Sequence, residues 1–303
     1  MSQNLAAGAV MPTAARGIAL YTLATFLFAV MDAMIKWLAA GYPTMQIVFF
    51  RCVFGLLPVM VLILRAGGFR LIRSRRPWLQ LLRGLIILCT TGLFFFAYSQ
   101  MPLADAYAIA FAAPLFITAL SVPMLGEKVG IRRWSAVVVG FVGVMIMLRP
   151  GTTDMSGFFS LGALAALGGT FFYALSATLI RLLSRTESNE AMTLYSTIVA
   201  AVGSAVFLPF DFRMPEGADW LLLIAIGLIG GVAMLIMTEA FRVAPVAVLA
   251  PFEYTAMLWA VLFGYWLWGD LPDAWIAAGS TIVVASGLYI VHRETRRRAE
   301  AKA

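Results

Sequence analysis

Charge is what this sequence has least of. Asp, Glu, Lys and Arg make up 12% of its 303 residues, while 62% are hydrophobic. A water-soluble domain carries about a quarter charged residues, because its exterior must be polar. The balance therefore excludes a soluble globular domain and fits helices that face lipid. Histidine occurs once, at His292, at the end of the last apolar run. That excludes a histidine-based metal site or proton relay within the membrane. The two cysteines, Cys52 and Cys89, both fall inside apolar runs and form neither a disulfide framework nor a metal spacing. No Gly-x4-Gly-Lys-Ser/Thr stretch occurs, so the chain itself does not couple to a nucleotide triphosphate. No cofactor is expected.

The net charge of +7 would suit a nucleic-acid partner if it lay on one soluble face. Here the basic residues lie between apolar runs, so no nucleic acid is expected and membrane topology is the better explanation. Ten apolar stretches are separable, at roughly 17–38, 44–64, 78–99, 104–124, 132–149, 158–181, 190–208, 219–241, 246–267 and 273–292. Each is near the ~20 residues that cross a ~30 Å hydrocarbon layer. The short connections make successive helices antiparallel neighbours, and the runs are too long and too uniform for barrel strands. The first run is also too long for a signal-peptide core and lacks a cleavage site, so it is expected to be retained.

Placing the N-terminus in the cytoplasm puts seventeen lysines and arginines on the inner side and two, Arg149 and Arg213, on the outer. Only Lys36, Arg51 and Arg83 then fall within helices. The asymmetry predicts both termini inside, in a bacterial-type inner membrane.

The chain also repeats itself. A shift of about 143 residues lays Ala97 on Ala240, Pro102 on Pro245, Gly126 on Gly269 and Glu127 on Asp270. Each unit holds five helices, 1–149 and 150–303. An odd number makes the second copy enter the membrane from the opposite side. The expected fold is therefore all-α, with ten transmembrane helices in two inverted-topology repeats, an architecture suited to alternating access around a midplane site.

These features together resemble the drug/metabolite transporter superfamily, and within it the ten-helix EamA-type carriers. The resemblance rests on the duplicated Ala-x4-Pro segments, the proline-bearing "AAPLF" and "APFEY", the "GEK" and "GD" that close those helices, and the glycine-rich "VVVGFVGVMIMLRPG". The "FFR" of the second helix and "LLRG" of the third look like the subgroup of S-adenosylmethionine and riboflavin carriers. Phe28-Ala29 stands where the family often has Trp-Gly, and Asp270 where it usually has Glu. The resemblance implies a secondary transporter of a small metabolite, of amino-acid, nucleoside-like cofactor or vitamin class. It leaves room for a coupled proton or exchanged solute and for a homodimer, with lipids as the other partner. A membrane-embedded transferase is the alternative, but no Ser/His/Asp set or acidic loop cluster supports it.

Ionisable residues inside the bilayer cost about 2.5–3.5 kcal/mol each, so they face a cavity or a partner. At ~1.5 Å per residue, Asp32 and Arg51 lie about 22 and 20 Å from the cytoplasmic edge, and Glu253 and Arg83 about 10 and 8 Å. Asp32–Arg51 and Arg83–Glu253 are thus level, and each is expected to pair, the second as an inner gate. Snorkelling to the interface is the alternative for Arg83. Pro114 and Pro251 should interrupt the fourth and ninth helices and free the carbonyls of Ala110 and Ala247. Tyr107 and Tyr254 flank those breaks and would offer hydroxyls or ring faces to a ligand. Gly227 and Gly231 are assigned to close helix packing.

Overall fold

The computed structural model describes residues 3–66, 68, 72, 74–127, 129–148, 160–184, 186–244 and 246–300, with backbone alone for 3–14, 66, 133, 246, 247, 250 and 291–300. Pro245, Arg149 and the junction between the two expected units lie outside the described residues. Among those described, every regular element is a helix: α1 Gln3–Leu38, α2 Thr44–Ala66, α3 Pro77–Gln100, α4 Leu103–Ala110, α5 Ala113–Leu125, α6 Ile131–Leu148, α7 Leu161–Leu183, α8 Asn189–Ala205, α9 Asp219–Val243, α10 Val246–Glu253, α11 Thr255–Trp268 and α12 Ala274–Glu300.

Two pairs of these are single paths through the bundle with a break inside. The chain passes from α4 to α5 across Phe111 and Ala112, and from α10 to α11 across Tyr254. Six paths are long and apolar enough to cross a membrane: Ala15–Leu38, Thr44–Arg65, Pro77–Gln100, Leu103–Leu125, Leu161–Leu183 and Asp219–Val243. The outward faces are apolar, with Leu57, Leu64, Leu85, Val138, Val142, Leu258 and Leu262 all exposed. No soluble monomer leaves such a continuous apolar exterior; it is the surface lipid covers.

The packing follows a few long contacts. α1 lies along α9 and α3 along α7; α2 packs on α8 and α9, α3 on α8, and α6 on α12. α10 and α11 pack on α1, and α4 and α5 on α7. Small residues allow the closest of these approaches. A Cβ on Gly227 of α9 would stand 2.5 Å from Phe54 Cβ and 3.0 Å from the Arg51 carbonyl oxygen of α2. This is backbone-to-backbone packing that any side chain would force apart.

The bundle has two ends. The α1–α2 end also carries the segment before α9 and the end of α11. There Gln46 donates to the Arg213 carbonyl (2.7 Å) and accepts from the Arg213 N–H (2.9 Å), while the Tyr42 hydroxyl donates to Asp219 (2.6 Å). The α2–α3 end carries the turn into α8. Glu187, 8% exposed, accepts hydrogen bonds from the N–H groups of Arg75 (2.8 Å) and Arg76 (3.0 Å) and from Gln80 Nε2 (3.3 Å). Burial pushes its carboxyl up, but bonds from Ser74, Arg75, Gln80 and Arg76 outweigh that and hold it below the usual carboxylate range. A carboxylate at these amides also complements the positive N-terminus of α3.

Candidate functional site

The cluster of interest begins with Asp32 on α1, which is 7% exposed. A carboxylate this buried must be hydrogen-bonded or neutralised. Asp32 Oδ2 accepts a 2.6 Å bond from the Tyr107 hydroxyl of α4 and a 3.2 Å bond from the Tyr98 hydroxyl of α3. The two tyrosine rings stack with centroids 6.4 Å apart and planes 19° apart, which fixes both hydroxyls toward one oxygen. Tyr98 and Tyr107 meet because the chain reverses at Met101–Pro102 between α3 and α4.

Arg51 on α2 lies within electrostatic reach of Asp32, as its depth predicts, but the two form no ion pair within 4.0 Å. Its guanidinium carbon stands 5.8 Å from the Phe95 ring centroid, and its buried Nε has no hydrogen-bond partner. The expected Asp32–Arg51 bridge is thus replaced by a tyrosine-held carboxylate and a cation whose charge no neighbouring carboxylate neutralises directly. The site remains an acid and a base at one level, held apart. Such a pair can bind a polar solute between its charges at less cost than a closed ion pair, which must first be broken.

The second expected pair, Arg83–Glu253, does not form. Arg83, 7% exposed, donates from Nη1 to the Met192 carbonyl of α8 at 2.6 Å. Its partner is a backbone carbonyl of α8, which packs on α3, and sequence depth alone does not reveal it. Glu253, at the end of α10, is accessible and lies within electrostatic reach of Tyr21 on α1, Tyr173 on α7 and Tyr254. Tyr173 is itself 45% exposed. Glu253 thus has tyrosines of α1, α7 and the α10–α11 break as its neighbours and, among the described residues, no arginine.

The helix breaks sit close to the two prolines. Pro114 lies in the first turn of α5, where its missing N–H costs nothing, and the break falls just before it at Phe111–Ala112. Pro251 lies inside α10, and the break falls three residues after it at Tyr254. The breaks touch: the Phe111 and Tyr254 rings meet edge to face at 5.0 Å. Beside the second break the Thr25 hydroxyl of α1 lies 3.2 Å from that of Thr255 at the start of α11.

Both broken paths end alike. Gly126 (φ 67°) and Gly269 (φ 72°) are left-handed caps, and the next residue's N–H, Glu127 or Asp270, reaches back to a carbonyl six residues earlier, Ser121 or Gly264. This fixes each acidic side chain at a helix end. Asp270 pairs with Lys36 of α1 at 2.8 Å, with the Trp268 ring 4.6 Å from the ammonium. Glu127 pairs with Arg181 of α7 at 3.4 Å. The sequence marks Glu127 and Asp270 as a repeated acid that closes each broken helix and places Lys36 within a helix, but it joins neither acid to its cation. Tyr98, Tyr21, Tyr173 and Phe95 were missed because nothing in their own helices distinguishes an inward ring from a lipid-facing one.

A lipid-faced helical bundle with several long apolar spans defines the class: a polytopic membrane protein. The EamA-like transporter family profile matches residues 15–149 and again 160–292, and the chain belongs to that family. It is similar to the pseudopaline exporter of Pseudomonas aeruginosa strain UCBPP-PA14, at 30% identity over 89% of this chain and 94% of that one. It is similar to the S-adenosylmethionine uptake transporter of Rickettsia prowazekii, at 26% over 92% and 94%. The riboflavin transporter of Vibrio cholerae is 28% identical over 89% and 91%. A solved crystal structure, 20% identical, superposes with a TM-score of 0.60 over 97% of this chain and 99% of that chain, and shares the fold. These relatives are transporters and not enzymes. The chain is a small-metabolite transporter.

Proposed function

We propose that the chain is a secondary carrier of the bacterial inner membrane, with ten spans in two inverted repeats, 1–149 and 150–303, moving its metabolite by alternating access. The observation that supports this reading is that the largest interhelical contacts correspond in pairs when the repeats are exchanged. With α4–α5 and α10–α11 counted as single spans, α1 on α9 becomes α7 on α3, α2 on α9 becomes α8 on α3, and α1 on α11 becomes α7 on α4. The contacts of α2 with α8 and of α6 with α12 map onto themselves. Phe111 and Tyr254, 143 residues apart, touch each other, as equivalent residues beside a two-fold axis must. The contacts between loops also join only segments that the ten-span reading puts on one side: Tyr42 with Asp219, Gln46 with Arg213, and Arg75 with Glu187. With the lysine and arginine bias, this supports the α1–α2 end as periplasmic and the α2–α3 end as cytoplasmic.

The route runs from Asp32, Arg51, Tyr98 and Tyr107 in the outer half, past the two proline-associated breaks, to Glu253, Tyr254, Tyr21 and Tyr173 in the inner half. Arg51 receives an anionic group such as a carboxylate, Asp32 a cationic group or a coupling proton, and the tyrosine faces a ring. Pro114 and Pro251 mark where the helices flex. Lys36–Asp270 closes the outer end and Glu127–Arg181 the inner, each joining the first span of one repeat to the fourth span of the other. The relatives' substrates are amphipathic, nitrogen-bearing metabolites, and a solute of that class fits this site.

The test is reciprocity. In a chain with Cys52 and Cys89 replaced by serine, a cysteine at Tyr107 is labelled from outside with a membrane-impermeant maleimide. Asp270→Asn is expected to raise the labelling rate and Glu127→Gln to lower it. Movement in the same direction, or none, contradicts alternating access governed by these two pairs.

A further inference from the structure

A cavity of 640 Å³ opens at the α2–α3 end between α2, α3, α7, α8 and α9. Arg83 lines it, together with Asn189, Thr193, Thr238 and Arg242, over walls that include Leu62 and Phe241. Arg83 is the only one of these that is both charged and buried, at 7% exposure. Its Nη1 is fixed on the Met192 carbonyl, while its buried Nε has no partner at all. Arg242, at the rim, is held by Glu239 at 3.2 Å, and Glu190 lines the same rim without an ion pair to Arg83 within 4.0 Å. A guanidinium left with unused donors inside a membrane, in a hollow with hydroxyl and amide groups above apolar walls, is an incomplete anion site.

The other end of the bundle has a hollow of its own, of 430 Å³, lined by Lys36, Tyr42, Asp219 and Trp268 among others, but it holds no residue equivalent to Arg83. The 143-residue shift that relates the repeats lays Arg83 on Ile226, which is fully buried in the apolar core. Elements of the alternating machinery recur in both repeats, as the two capped ion pairs do. A buried arginine present in one repeat alone suits a ligand present on one side alone.

We propose that this cavity binds a phosphate-bearing anion, with Arg83 as the principal donor and the Asn189 amide as the second; the Thr193 and Thr238 hydroxyls donate to their own helices, to the Asn189 and Met234 carbonyls. Its position about two helical turns inside the cytoplasmic end, among apolar walls, suits the head and upper chains of an inner-leaflet anionic phospholipid; free phosphate offers Arg83 the same chemistry. The inference is independent of the Asp32–Arg51 route and uses the proposed orientation only to name the leaflet.

The full chain, purified in a neutral detergent, is heated with dioctanoyl-phosphatidylglycerol, with dioctanoylglycerol (the same tails without phosphate), or with inorganic phosphate. The phosphatidylglycerol is expected to raise the unfolding midpoint by about 2 °C or more, and dioctanoylglycerol not to. Arg83→Gln should lose that shift and Arg83→Lys should keep part of it. Met234→Trp, which puts a bulkier side chain on the cavity wall and keeps Arg83 itself, should lose it too, so the test survives if Arg83→Gln does not fold. A shift with phosphatidylglycerol and not with phosphate assigns the site to lipid; an Arg83-dependent shift with phosphate alone assigns it to a soluble anion. No shift, one equally large with dioctanoylglycerol, or one unchanged in both loss variants overturns the proposal.

Discussion

The Lys36–Asp270 contact allows the sharpest quantitative prediction. At 2.8 Å, with an effective dielectric near 20, the gross attraction is about 6 kcal/mol. Desolvation and side-chain ordering offset most of this, because the side chains keep only 12% and 31% of their surface. The net coupling should be about 1–3 kcal/mol. The two halves of the contact are not equivalent. Lys36→Met leaves Asp270 partly solvated, whereas Asp270→Asn leaves a more deeply buried ammonium against the Trp268 ring alone. Asp270→Asn should therefore be the costlier single change, and the double variant should be less unstable than the sum of the singles. A double-mutant cycle on thermal unfolding in detergent measures the coupling. Each 1.4 kcal/mol lost from a contact made only when the outer end is closed also raises the outward-open population tenfold. A coupling below about 0.3 kcal/mol, with additive singles, would refute the assignment of this contact as a closure.

Further outcomes follow from other parts of the bundle. Gly227→Ala should destabilise by about 1–3 kcal/mol, because its Cβ would meet the α2 backbone at 2.8 Å (the Gly55 nitrogen), while Gly55→Ala on the facing helix, whose Cβ would meet only the Gly227 carbonyl at 3.5 Å, should be tolerated; unfolding midpoints decide. Glu187 has a carboxyl pKa depressed on folding, so its contribution is present above the unfolded value near ~4.3 and lost as pH falls through the lower folded value. Stability against pH should therefore fall less steeply on acidification in Glu187→Gln than in the parent, the variant being already weaker at neutral pH. Tyr107→Phe removes a 2.6 Å donor to Asp32 and should cost about 1.5–3 kcal/mol, with a transport defect that Tyr98→Phe, losing a 3.2 Å bond, shows less strongly.

The helices were legible in the sequence because lipid imposes both length and apolarity, and the described elements fall on the expected stretches to within a few residues apart from the longer ends of α1 and α12. The break points were legible to about three residues, since proline marks a break without stating on which side it falls. Asp32 and Arg51 were found at one level because rise per residue converts position into depth. Depth carries no rotation, however. Arg83 and Glu253 were expected at one level, yet Arg83 bonds to α8 and Glu253 lies near tyrosines of α1 and α7. Tyr98 and Tyr107 converge through a turn whose direction no local periodicity encodes. The acids at Glu127 and Asp270 were visible as a repeated motif, but their cations lie 54 and 234 residues away in the chain, a pairing that only the packed bundle reveals.

The central claim is that the Asp32–Arg51 cluster binds the transported metabolite, and metabolite profiling of cells and medium tests it most directly. A library of small nitrogen-bearing metabolites is supplied to cells expressing the wild type or Arg51→Ala at matched membrane levels. The account predicts that at least one compound redistributes across the membrane with the wild type and that the redistribution is lost, chemically unchanged, with Arg51→Ala. The same redistribution in both strains would contradict it.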